Sequence, residues 1–383
     1  KSIRTLSYMI RILNMSTEVN IAIVCITENG KNLALKIQTL IKDSHVYIVS
    51  NKQNKLQLEN ESKNIFLVKE KLSVLTEKLF KDYQYILFIM ATGIVVRVIA
   101  PYIVSKFSDP AIMVTDEKGE NIISLLSGHM GGANEMTKRI SKLINANPVI
   151  TTATDVNKKS ALDMIAKELD AHIDDFRDNV KDVNAMLVNN QDVGIYIDGK
   201  YDVDTRGFKV LDNLENTDSI AKIAVITNKN DFFRDYTDKY KDSCINQKQL
   251  EEKIIKVIPK DIVIGIGCRR NTDSDLLKES LDDLLKRYNI HIKSIKEIGS
   301  IDVKHDEKAI IDLAENLSVP FKTVSTNEIS KVDYLFEKSE FVKKNVGVYC
   351  VSEPVAYILS KGNLIIEKHK YKGITISVGR VSK

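Results

Sequence analysis

Residues 83–155 read YQYILFIMATGIVVRVIAPYIVSKFSDPAIMVTDEKGENIISLLSGHMGGANEMTKRISKLINANPVITTATD, and the succession of signals in this stretch decides the fold class. YQYILFIM is a continuous apolar run, as a strand covered on both faces requires. ATG reads as a strand-to-helix turn, IVVRVIAPYI as a short helix near Pro101, and AIMVTDEKGENIISLL as a hairpin turned by DEKG. SGHMGGA is then a glycine loop that feeds the helix ANEMTKRISKLI. Alternation of strand, turn and helix predicts an α/β fold on a mainly parallel sheet.

The same pattern extends outward in both directions. NIAIVCIT, ENG and LALKIQTLI open the unit as strand, turn and helix, followed by the short strands HVYIVS and NIFLV and the amphipathic helix KLSVLTEKLF. Beyond ITTATD, a helix around SALDMIAKELD and two strands, VGIYID and KIAVIT, predict a small middle domain. The following segment is crowded with Lys, Asp and Tyr, which suits a linker or solvated surface segment. DIVIGIGCRRNTDSDLLKESLDDLLKRY then restarts the strand, glycine turn, helix pattern, with Thr272 or Asp273 as the helix cap. The expectation is a multi-domain α/β protein. It has a mainly parallel-sheet, Rossmann-like N-terminal domain over 15–148, a middle domain over 149–228, a linker over 229–259 and a separate α/β C-terminal domain over 260–383. Residues 1–14 read as an upstream segment before a natural start at Met15.

Bulk properties narrow the function classes. At 383 residues the chain exceeds what one hydrophobic core usually serves. Hydrophobic residues at 43% and charged ones at 28% exclude a wholly disordered or collagen-like chain. A net charge of +4, with both signs mingled in nearly every helix-like stretch, gives no footprint for nucleic acid. Cations gathered in one cleft could still capture a polyanionic small molecule. No run of about eighteen apolar residues marks a membrane span. Cys25, Cys244, Cys268 and Cys350 lack CxxC or Cys/His ligand spacing, which predicts a reducing compartment and a cytoplasmic protein. Cys25 and Cys350 read as small buried hydrophobes.

SGHMGGAN, Ser127 to Asn134, follows a strand and precedes a helix. Gly128, Gly131 and Gly132 permit positive φ and close ligand approach, and a helix N-terminus presents N–H groups to a carboxylate or phosphate. The pattern is neither GxGxxG nor a P-loop, and a tight turn without ligand is the plainer alternative. His129 adds an acid or base that works near neutral pH. In TGIVVR, Thr92 and Gly93 stand at a strand's C-terminal end, where open parallel sheets gather ligands. Arg97 is either a carboxylate clamp or a salt-bridged surface residue. Lys106 and Asp109 bracket the loop before AIMV, Asp109 as a turn former. In ITTATD, Asp155 either caps the next helix or orients a catalytic partner. GIGCRRNT adds Cys268, Arg269 and Arg270, suited to acidic substrate arms, with no His fixed nearby to activate the thiol. Glu353 in VSEPVA fits the first turn of a helix. SIDVKHDE clusters Asp302, Lys304, His305 and Asp306, more as a solvated turn and cap than as a metal site.

TGIVVRVIAPYIVSKFSDPA, ISLLSGHMGGAN and VITTATD, in this order and spacing, resemble the amino-terminal domain of the cobalt-precorrin-5A hydrolase family, also called cobalamin biosynthesis protein G. GIGCRRNT, SIDVKHDE, VSEPVA and ITISVGR resemble that family's carboxy-terminal domain. The resemblance runs from Met15 to Arg380, the middle segment by position alone. Pro354 stands where a small helix former is expected, and Gly379 where an alanine-like residue is expected. The resemblance implies hydrolytic opening of the δ-lactone on a cobalt-bound, ring-contracted tetrapyrrole, with loss of acetaldehyde to give cobalt-precorrin-5B. Cobalt would arrive inside the substrate, so no cofactor and no metal site are expected. The implied partner is this small molecule, with neither nucleic acid nor membrane. Contacts with other corrin-pathway enzymes and a homo-oligomeric state stay open.

Within that frame His129 reads as the general base, oriented by Glu135 or Asp155, with N–H groups near Gly131 and Gly132 stabilising the oxyanion. Arg97 and Lys106 read as partners of acidic side chains. The wider substrate-binding set is Thr92, Gly93, Ser127, Gly128, Asn134, Cys268, Arg269 and Glu353. Two other readings are a non-catalytic carrier of corrinoid intermediates and a nucleotide-dependent α/β enzyme, the latter weakened by the missing phosphate fingerprint.

Overall fold

The computed structural model describes residues 20–50, 64–106, 108–215, 217–239 and 247–382. The expected upstream segment 1–14, the start at Met15 and Cys244 lie outside the described residues. The chain divides into two compact units, Lys1–Lys158 and Lys159–Lys383.

In the first unit the strands are β1 (Ile21–Cys25), β2 (His45–Val49), β3 (Ile65–Val68), β4 (Tyr85–Ile89), β5 (Ala111–Thr115), β6 (Asn121–Leu126) and β7 (Asn147–Val149). They form one sheet in the order β3-β2-β1-β4-β5-β6-β7. β1 to β5 are mutually parallel. Every residue of β1 and β5 is buried, because helices cover both faces of the sheet. Along β1 the side chains alternate between two cores: Ile21, Ile23 and Cys25 pack with Leu33, Ile37 and Met113, while Ala22 and Val24 pack with Leu79, Phe88 and Ile112. Burial pushes the Cys25 thiol up to about 12, so it behaves as an inert core residue.

The DEKG hairpin sets the direction of the last two strands of this sheet. The Asp116 carboxylate accepts N–H groups from Lys118, Glu120 and Asn121 at 2.9, 3.2 and 2.9 Å, and Gly119 takes the positive φ the turn needs. β6 therefore returns antiparallel to β5, with Leu126 opposite Ile112, and β7 runs parallel to β6. β6 and β7 thus end where β1 to β5 begin. Their C-terminal loops stand about 17 Å, one five-residue strand, from the loop after β4.

The second unit holds two sheets. The middle sheet, β10-β9-β11-β12-β8, is built from β8 (Ala171–His172), β9 (Val193–Ile197), β10 (Lys209–Leu211), β11 (Lys222–Ile226) and β12 (Ile254–Pro259), parallel except for β8. β12 and the helix Phe232–Lys239 fall inside the segment 229–259 expected to be a linker. The polar composition of that segment concealed an aromatic stripe: Phe232, Phe233 and Tyr236 are buried against Tyr196, Ile223 and Val225. The contact division falls after Lys158 and leaves ITTATD in the first unit.

The last sheet, β15-β14-β13-β17-β16, comprises β13 (Ile262–Cys268), β14 (Ile295–Ile301), β15 (Phe321–Val324), β16 (Leu364–Tyr371) and β17 (Ile374–Arg380). By its contacts this sheet shares one compact unit with the middle sheet. Buried Asp261 joins the two, accepting the Tyr201 hydroxyl at 2.8 Å and the Asn228 amide at 3.3 Å. The helix Ser352–Leu359 lies so close to this sheet that a Cβ on Gly265 would meet the Ser352 carbonyl oxygen at 2.1 Å. Gly379 belongs to the same contact: a Cβ there would meet the Ser360 side chain at 2.6 Å and the Ala356 carbonyl oxygen at 2.7 Å. That close approach accounts for glycine where an alanine-like residue was expected.

Candidate active site

The glycine loop is folded onto itself. Ser127 and Gly132 both have positive φ, and three hydrogen bonds close the turn: Gly132 N–H to the His129 carbonyl at 2.9 Å, Ala133 N–H to Ser127 at 3.2 Å and Asn134 N–H to Gly128 at 3.0 Å. The helix Ala133–Ile144 thus begins with its leading N–H groups committed to the loop's own carbonyls. Gly132, expected as an oxyanion donor, is occupied in this way. Gly128 is required for a different reason, because a Cβ there would sit 2.7 Å from the Asn134 Oδ1.

Three side chains, from the glycine loop and the helix that follows it, converge on Asp155. His129 Nε2 lies 3.2 Å from Asp155 Oδ2 and 2.8 Å from the Thr154 hydroxyl. The Asn134 amide donates to the same Oδ2 at 2.8 Å and to the Thr152 hydroxyl at 2.9 Å, and its Oδ1 accepts from Ser124 at 2.7 Å. Lys138 donates to Oδ1 of Asp155 at 2.7 Å. The His129 and Asp155 side chains are 19% and 21% exposed, so the pair opens to solvent without being bathed in it. Burial pushes the Asp155 carboxyl up, but Lys138, His129 and Asn134 outweigh it and hold the group below its ordinary value. An ionised Asp155 only accepts, so it favours a proton on Nε2 and turns the lone pair of a neutral ring to Nδ1.

This geometry chooses between several sequence readings. Asp155 is not a helix cap: the cap position of the short helix Ala153–Val156 is Thr152. Glu135 acts electrostatically on Tyr85 at the start of β4. Asn134 is 5% exposed with its amide turned inward, and Ser127 is likewise buried. Lys106 lies in the loop before β5, on the same end of the sheet as SGHMGGAN, where Asp109 accepts the Val104 and Ser105 N–H groups at 2.9 Å each. Thr92 and Gly93 follow β4 at the opposite end, and Arg97 returns one N–H to the Gly93 carbonyl at 2.9 Å. Thr152, Thr154, Ser124 and Lys138 were missed individually. For Lys138 a signal existed, since it stands one helical turn after Asn134 and shares its face.

In the second unit Cys268 ends β13, and burial raises its thiol. Arg269 is exposed and packs along Gly373, whereas Arg270 is paired with Asp306 and donates to the Val303 carbonyl. Glu353 is buried, 3.4 Å from the Lys368 ammonium. SIDVKHDE forms a hydrogen-bonded turn in which Lys304 and Glu307 make a buried pair at 3.1 Å. Among the described residues no group of three or more His, Cys, Asp or Glu is arranged to hold a metal ion. No described helix is long and apolar enough to cross a membrane.

Comparison with known proteins decides the family. A cobalt-precorrin-5A hydrolase from Salmonella typhimurium is 41% identical over 305 residues, covering 78% of this chain and 83% of that protein. The chain belongs to the cobalt-precorrin-5A hydrolase family. A second family member, the cobalt-precorrin-5A hydrolase of Priestia megaterium, is 30% identical over 94% of both chains. Family models match in three consecutive blocks: cobalamin synthesis G N-terminal over residues 74–155, cobalamin biosynthesis central region over 160–235 and cobalamin synthesis G C-terminus over 262–379. A solved structure of a cobalamin biosynthesis protein G homologue from Sulfolobus solfataricus aligns with 95% of this chain and 97% of that one, at 24% identity and a TM-score of 0.37. The N-terminal family block ends at Asp155, the carboxylate that faces His129.

Proposed function

We propose that this chain hydrolyses cobalt-precorrin-5A, as the names of its relatives state for them. Water adds to the δ-lactone carbonyl, the acyl–oxygen bond breaks, and a carboxylate and a ring-bound alkoxide result. The alkoxide collapses to acetaldehyde as its bond to the macrocycle breaks, and the electron pair left on the ring takes up a proton. The observation that carries this reading is the His129–Asp155 pair, a partly exposed imidazole aligned by a carboxylate that is itself held at both oxygens.

His129 accepts the proton of the attacking water, its ring held in place by Asp155 and Thr154. Lys106, on the same end of the sheet, is placed to receive an acidic arm of the substrate. Thr92 and Gly93 stand one strand length away and take no part at the lactone itself. Cobalt enters as a component of the substrate, and the hydrolysis asks for no cofactor held by the protein. A small-molecule substrate and a cytoplasmic setting complete the proposal.

Incubation of purified protein with cobalt-precorrin-5A, followed by acetaldehyde assay, tests it. Wild-type release with His129→Ala slowed by about 10²–10⁴ is the expected result. Tight binding without acetaldehyde would instead establish a carrier. Near-normal turnover by His129→Ala would remove the base assignment while leaving the hydrolase.

A further inference from the structure

Asp155 is gripped by two side chains one helical turn apart. Asn134 and Lys138 lie on one face of the helix Ala133–Ile144, the amide on Oδ2 and the ammonium on Oδ1. Their contributions differ in kind. Asn134 is buried and neutral, tied to Ser124 and Thr152, so it fixes position. Lys138 is 58% exposed and charged, and it adds a cation at Oδ1, the oxygen of Asp155 that the imidazole does not touch.

We propose that Lys138 is a positioning residue for the His129–Asp155 pair, which pins one carboxylate oxygen and tempers the hold of the carboxylate on the ring proton. A carboxylate shared with an ammonium attracts an imidazolium less than an unshared one does. Lys138 therefore eases the imidazole toward its neutral form, the only form that can accept a proton from water. Two other charges on this helix, Glu135 and Arg139, bear on Tyr85 at the start of β4. Among the described residues, Lys138 and His129 are charged groups whose fields bear on Asp155.

The inference rests on the reading of His129 as base, and two readouts separate the two. In substrate-free protein, the proton NMR titration of His129, assigned with His129→Gln, is compared in wild type, Lys138→Met and Lys138→Arg. The midpoint should rise by about half a pH unit in Lys138→Met and return in Lys138→Arg. In turnover, the acidic limb of kcat/KM should move to higher pH by the same amount in Lys138→Met. An unmoved titration midpoint in Lys138→Met overturns the proposal. So does a pH-independent loss of rate that Lys138→Arg fails to restore, which would mark a structural role. A shifted NMR midpoint without a shifted limb would keep the Lys138 effect and discard His129 as the base.

Discussion

At the scale of single residues, the candidate site depends on a carboxylate held at both oxygens. Replacing Asp155 by Asn retains the shape but loses the acceptor-only partner that fixes the imidazole proton on Nε2. Turnover of Asp155→Asn should fall by about 10²–10⁴ in kcat with little change in KM, as steady-state kinetics will show. Gly128→Ala should disturb the same network from behind, since its methyl meets the Asn134 amide at 2.7 Å. His129 and Asp155 were singled out from motif and chemistry, and the structure brings them within 3.2 Å of each other. The inward turn of Asn134 was not legible, because sequence gives a polar residue at a loop-to-helix junction and says nothing of which way its amide faces. Thr154 was hidden for a similar reason, one hydroxyl among several in ITTATD.

Among elements, glycine decides how near a helix may come to a sheet. The helix Ser352–Leu359 rests on Gly265 and Gly379 with its backbone, not only its side chains, in contact. Gly379→Ala should cost about 1–3 kcal/mol through overpacking and lower the Tm by several degrees in calorimetry, without altering the chemistry of the first unit. Strands and helices were largely legible from periodicity: the apolar runs at β1, β4 and β5 and the hairpin at DEKG stand where the pattern places them. β12 escaped notice because Ile254–Pro259 carries Lys256 within it and comes after a charged stretch, and only pairing with β11 reveals its role. The opposite placement of ATG and SGHMGGAN was implicit in the hairpin, which reverses direction once. Each loop read alone looks like a ligand-bearing strand end.

For the whole molecule, pH dependence arises from carboxyls held low. Asp116, with its three backbone N–H donors, and Asp155 both lie below their ordinary value despite burial that opposes this. Their contribution to stability is complete above the unfolded value of about 4 and is lost as pH falls through the lower folded values. Asp116→Asn should flatten that acid limb in urea midpoints measured against pH. Between the two sheets of the second unit, Tyr201→Phe removes a hydrogen bond to buried Asp261 and should cost about 1.5–3 kcal/mol. The reversal after DEKG gives the first unit two poles with unequal duties. The His129–Asp155 pair sits at the pole where β6 and β7 finish, while Thr27 and Asn29 both donate to Glu117 at the far pole. A fluorophore or surface tether attached at that far rim should therefore leave catalysis unaffected, and sequence drift there should be silent in turnover.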